Sequence, residues 1–137
     1  MDKLREHGHQ LDIVNRTQAQ LGMLVAMFLL GIAVNLIGLP SEVSGTAKTA
    51  TTIFLVLHGL LGLGLIINAG LILRLSMKSN AALVKYAQFG LGIIVLTFIT
   101  GIITVETKSN WWSFAMAVGF AASLPVNGLL LLRARSK

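Results

Sequence analysis

The sequence predicts an all-α membrane protein, a bundle of four transmembrane helices with both termini on the cytoplasmic side. Three observations support this. The chain is 55% hydrophobic and only 12% charged, about half the charge of an ordinary soluble domain. Four apolar stretches, Leu21–Leu39, Thr51–Leu73, Ala82–Val105 and Trp111–Leu132, each match the roughly 20 residues a helix needs to cross a bilayer core. The 11 Lys and Arg residues are unevenly placed between these stretches: only Lys48 and Lys108 fall on one side. The basic side is the cytoplasmic side, so the chain begins and ends inside.

Residues 1–20 read as a cytoplasmic tail of mixed charge, with Asp2, Lys3, Arg5, Glu6, Asp12 and Arg16. Leu4, Leu11, Ile13 and Val14 give this tail either a weak amphipathic face on the inner surface or no fixed order. Span 1 follows about 20 polar residues and is too long for a signal-peptide core, so it reads as a retained span. It closes at Gly38-Leu39-Pro40, and the outer loop runs through Glu42 and Lys48. Span 2 returns to Arg74, and Asn80 is positioned to cap span 3. Lys85 and Tyr86 suit the inner interface. A short outer turn from Glu106 to Asn110 leads to Trp111 and Trp112, which suit the outer aromatic belt. Arg133 marks the inner end of span 4, so the transmembrane domain covers 21–133 and the C-terminal tail 134–137. A cytoplasmic membrane of bacterial or archaeal type is the expected location.

The two halves resemble each other. Ala19-Gln20-Leu21-Gly22 opens span 1 as Ala87-Gln88-Phe89-Gly90 opens span 3. Asn68 to Arg74 closes span 2 as Asn127 to Arg133 closes span 4. Both halves start inside, so the expected relation is a parallel repeat about an axis along the membrane normal.

Inside the spans the chemistry is sparse. The chain has 14 glycines, and small residues recur at helical spacing, as in Gly90, Thr97 and Gly101 of span 3. Such stripes let helices pack closely or leave room for a flat ligand. Asn35, Asn68 and Asn127 are candidates for bonds between helices, while Gln20 and Gln88 lie at headgroup depth. Pro125 interrupts span 4 and frees the carbonyl of Ala121. No Asp or Glu lies within a span, which argues against an intramembrane carboxylate relay. There is no Cys, hence no thiolate chemistry, and no metalloprotease or nucleotide-loop motif. The expectation is a non-enzyme. The net charge of +6 is spread over helix ends facing lipid headgroups, so nucleic acid is not an expected partner. The lipid bilayer is one, along with a second copy of the chain or other membrane subunits.

His58 is the one histidine within a span. It lies about seven residues in from the outer end of span 2, roughly 10 Å deep at 1.5 Å per residue. An intramembrane ionisable residue points to function, and imidazole is an axial ligand for haem iron. A packing histidine and a proton or quinone site are the other readings. His7 and His9 sit in the tail, remote from it.

His58-Gly59-Leu60-Leu61-Gly62-Leu63-Gly64-Leu65 resembles the histidine-bearing helix of haem A synthase and related b-haem membrane proteins. Gln88-Phe89-Gly90-Leu91-Gly92-Ile93, continuing to Gly101-Ile102-Ile103-Thr104-Val105, is similar to a second helix of that family. The resemblance covers spans 2 and 3. It implies a half-size relative built as one four-helix unit, with His58 as axial ligand of haem b. The family's second histidine, on the fourth helix, has no counterpart in Met116-Ala117-Val118-Gly119-Phe120-Ala121-Ala122-Ser123. The sixth position is then open, or filled by Met116 or by His58 of a second protomer. The family's outer loop carries acidic and cysteine residues, of which only Glu42 has a counterpart. Three functions therefore stand side by side: an accessory subunit of a respiratory or oxidase-type membrane complex, a haem-binding protein using His58, and a small oligomeric carrier or channel.

Overall fold

A computed structural model describes residues 2–79 and 81–136. They form four helices: α1 (Asp2–Ile37), α2 (Gly45–Ser79), α3 (Ala81–Thr107) and α4 (Asn110–Arg135). The described residues contain no strand. All four helices are long and apolar enough to cross a membrane. Each packs on its neighbours in chain order and α4 closes on α1, most extensively in the pairs α1–α2 and α3–α4. The backbones of helices across the diagonal do not approach one another, which leaves an interior along the axis where side chains of all four helices meet. The capping role expected of Asn80 lies outside the described residues.

The connections follow local backbone chemistry. Gly38 takes φ +103°, a left-handed conformation that suits glycine after a helix end, and its N–H donates to the Val34 carbonyl at 2.9 Å. The Leu39 N–H donates to the Glu42 carboxylate at 3.0 Å, and the Glu42 N–H to the Leu39 carbonyl at 2.8 Å, so Glu42 ties this loop together. The α3–α4 turn has the same left-handed step at Lys108, φ 52°, whose N–H donates to Thr104. α4 is continuous through Pro125, which faces outward.

The interior is layered from the terminal end toward the loop end. Ile13, Ile72, Leu83, Ala87, Leu130 and Ala134 form the first apolar cluster. A polar layer follows. Gln20 Nε2 donates to Asn127 Oδ1 at 2.9 Å, and Asn68 Nδ2 donates to Gln20 Oε1 at 2.8 Å and to the Arg16 carbonyl at 3.0 Å. Asn127 Nδ2 donates to the Ser123 carbonyl at 2.8 Å. Leu24, Leu65, Ala69 and Ile94 form the next apolar cluster. Beyond it the packing opens into a cavity.

Three expectations change. The tail continues α1 without a break, and Ile13 and Thr17 are fully buried, because this segment packs on α2, α3 and α4 rather than resting on a surface. Gln20 meets no headgroup: it is 1% exposed, as is Asn127. Gln88 is exposed, so Gln20 and Gln88 do not occupy matching places. Asn68 and Asn127 bond across helices as expected, whereas Asn35 is exposed and borders the cavity.

Candidate functional site

The cavity at the loop end has a volume of about 180 Å³ and a mostly apolar wall. A wider opening of about 480 Å³ continues from it to the interhelical loops, with Glu42, Glu106 and Lys108 at its mouth. His58 of α2 and Met116 of α4 border both spaces. Phe28, Phe98 and Phe120 supply the flat surfaces. Phe28 and Phe120 stack across α1 and α4, with centroids 4.8 Å apart and planes within 10°.

Glycines set how close the helices come at this level. A Cβ on Gly31 of α1 would stand 3.4 Å from His58 Cε1, and one on Gly101 of α3 would stand 3.3 Å from the Met116 sulfur. A Cβ on Gly62 of α2 would stand 2.8 Å from the Phe98 ring, so that ring occupies space only glycine leaves. The small-residue stripes are thus spent on side chains of the cavity wall. Gly22, by contrast, faces outward with nothing near it.

His58 is half-buried, with one edge of its ring against Gly31 of α1. Its Nδ1 is buried and has no hydrogen-bond partner. Buried polar nitrogens are usually satisfied, so this atom calls for an explanation. The described residues hold no group of three or more His, Cys, Asp or Glu able to share a metal ion. The polar and polarizable groups that border the cavity are the His58 imidazole, the Met116 thioether, Asn35, Thr97, Ser113 and Ser123.

Sequence reasoning placed His58 correctly inside the bundle but missed the Gln20–Asn127 bond. Depth along a helix says nothing about rotation, and Gln20 turns inward. Its phase was legible in Ile13, Thr17, Gln20 and Leu24, which share one helical face.

The fold and site together define a four-helix bundle of membrane-crossing length around an apolar, histidine-bearing cavity. No family model matches this chain, and neither the curated proteins nor the solved structures contain a match.

Proposed function

We propose that this chain is an integral membrane protein that binds one b-type haem in the loop-end cavity, with His58 as axial ligand. The observation behind this reading is the buried, unpartnered Nδ1 of His58 at the wall of an apolar cavity. An unpaired buried nitrogen costs free energy, and ligation would relieve that cost. Phe28, Phe98 and Phe120 border the cavity and would meet a flat macrocycle. Lys108 at the mouth offers a cation to an acidic substituent. Bound haem supplies a one-electron redox couple. The protein's share would be to exclude water and screen the site within four helices.

The orientation belongs to the same proposal. With Lys48 and Lys108 at the loop end and the other basic residues toward the termini, the cavity opens toward the outer face. Exposed Leu29, Leu36, Leu60, Phe89, Leu96 and Leu132 are spread over all four helices, as lipid contact on every side requires.

The test is haem stoichiometry. The chain is expressed with haem precursor supplied and purified in detergent, and haem is assayed per protein. The expected result is near one haem per chain for the parent and near zero for His58→Ala, with His9→Ala unchanged. Equal haem in all three would reject His58 as the ligand.

A further inference from the structure

The two halves of the bundle match, in a register that the packing reveals. In α1 the buried positions Ile13, Thr17, Gln20 and Leu24 recur 70 residues on in α3 as Leu83, Ala87, Gly90 and Ile94. In α2 Leu65, Ala69, Ile72 and Ser76 recur 58 residues on in α4 as Ser123, Asn127, Leu130 and Ala134. The helix ends obey the first shift too. The Gly38 N–H donates to Val34 and the Lys108 N–H to Thr104, both from a left-handed residue. The α1–α2 seam therefore corresponds to the α3–α4 seam.

At the terminal end these two seams differ. In the first, half-buried Arg16 reaches the Asn68 amide oxygen at 3.5 Å. In the second, Tyr86 stands at the place of Arg16, and Arg133 at the place of Leu75. The Arg133 guanidinium lies over the Tyr86 ring, 4.8 Å from its centroid. Lys85 replaces Asn15 and Phe89 replaces Ala19. The counterpart seam packs without these residues, so the bundle itself does not require them. Arg133 and Lys85 are exposed, and among the described residues neither cationic group meets a hydrogen-bond acceptor or a carboxylate. The acidic residues of this end, Asp2, Glu6 and Asp12, all belong to α1, which does not pack on α3. Four residues from Lys85 and from Arg133, on the same helix faces and toward the bundle centre, come Phe89 and Leu129, 69% and 48% exposed.

We propose that the terminal end of the α3–α4 seam binds the phosphate of an anionic phospholipid, held by Arg133 and Lys85, with an acyl chain over Phe89 and Leu129. This rests on the membrane-spanning reading above and not on the haem. A guanidinium stacked on an aromatic face keeps its N–H edge free, and that edge matches two oxygens of one phosphate. Stacking also orders the side chain before the lipid arrives, which lowers the cost of binding. Lys85 adds a second positive charge beside the ring. The order along both helices, cation outermost and apolar side chain one turn deeper, is the order of head and tail in a lipid. A soluble phosphate uses the cations alone.

The test titrates the full chain, in uncharged detergent at about 0.15 M salt, with short-chain phosphatidylglycerol or phosphatidylcholine, and reads bound lipid per chain by native mass spectrometry. Phosphatidylglycerol is expected to saturate one site and to bind more tightly than phosphatidylcholine. Arg133→Gln should weaken it about tenfold, the loss of a charge-assisted contact. Tyr86→Leu should weaken it comparably although it removes no charge, and Tyr86→Phe should bind as the parent does. Arg74→Gln removes an exposed cation of α2 and should change binding less than about threefold, because diffuse attraction is screened at this salt. Equal losses from Arg133→Gln and Arg74→Gln, parent-like binding by Tyr86→Leu, or no preference for phosphatidylglycerol overturns the site. Displacement of the lipid by equimolar glycerol phosphate overturns the lipid as occupant in favour of a soluble phosphate. Thermal melts show that each variant is folded, and retention of the chain in carbonate-washed membranes tests the membrane reading separately.

Discussion

Single residues decide how the interior is satisfied. Gln20, Asn68 and Asn127 each spend their amide groups on one another or on nearby backbone, in a layer between two apolar clusters. Asn127→Ala would strip Gln20 Nε2 of its acceptor at a site that is 1% exposed. The expected cost is about 1–3 kcal/mol, the usual penalty for a buried donor left unpaired, measured by denaturant titration in mixed micelles. Gln20→Ala combined with it should cost clearly less than the two singles added, because both remove the same bond. Full additivity would contradict the bond. Lys108 gives a prediction of opposite sign. It holds φ 52° where glycine is at ease, so Lys108→Gly should leave the thermal midpoint unchanged or raise it. A marked drop would show that the lysine side chain matters more than its backbone strain.

At the scale of helices, glycine sorts into two kinds. Gly62 lies beneath the Phe98 ring, and a methyl there must displace a packed aromatic. Gly62→Ala should destabilise by about 1–3 kcal/mol, as overpacking does, and should lower haem retention. Gly92→Ala meets nothing within 4 Å, and should stabilise by up to about 1 kcal/mol through helix propensity in an aqueous reference. Parallel thermal melts of the two variants, read by circular dichroism, check the contrast. Equal shifts would mean that the α2–α3 approach is looser than described. The four apolar runs were legible in the sequence, and Gly38-Leu39-Pro40 and the Glu106–Asn110 turn mark breaks between helices. The full lengths of α1 and α2 were not: α2 runs Gly45–Ser79, past the apolar run 51–73 at both ends. Residues 2–20 are polar in composition, and the face shared by Ile13, Thr17, Gln20 and Leu24 was the sign in the sequence that the helix extends through them; the burial of Ile13 and Thr17 shows that this face meets a core. The repeat was visible but misaligned, because matching the words Ala19-Gln20 and Ala87-Gln88 ignores the helical phase that burial reveals.

The whole molecule is polarised along its axis: a close-packed terminal half, a polar layer, then a cavity toward the loops. His58 was legible as the one histidine in a span, whereas only the packing shows that Met116, on a different helix, borders the same cavity. The proposed orientation puts the terminal half in the cytoplasm, from the charge asymmetry. Because the chain has no cysteine, single-cysteine variants report cleanly. In intact cells, Ser41→Cys should react with a membrane-impermeant maleimide and Ser136→Cys should not until the cells are opened. The reverse pattern would invert the topology and turn the cavity inward. The central claim is that His58 is unpaired because it serves a cofactor. The visible absorption spectrum of the detergent-purified chain, expressed with haem precursor supplied, tests this most directly. A Soret band that disappears in His58→Ala, with helical content unchanged, is the predicted result; a parent protein with no Soret band under those conditions contradicts it.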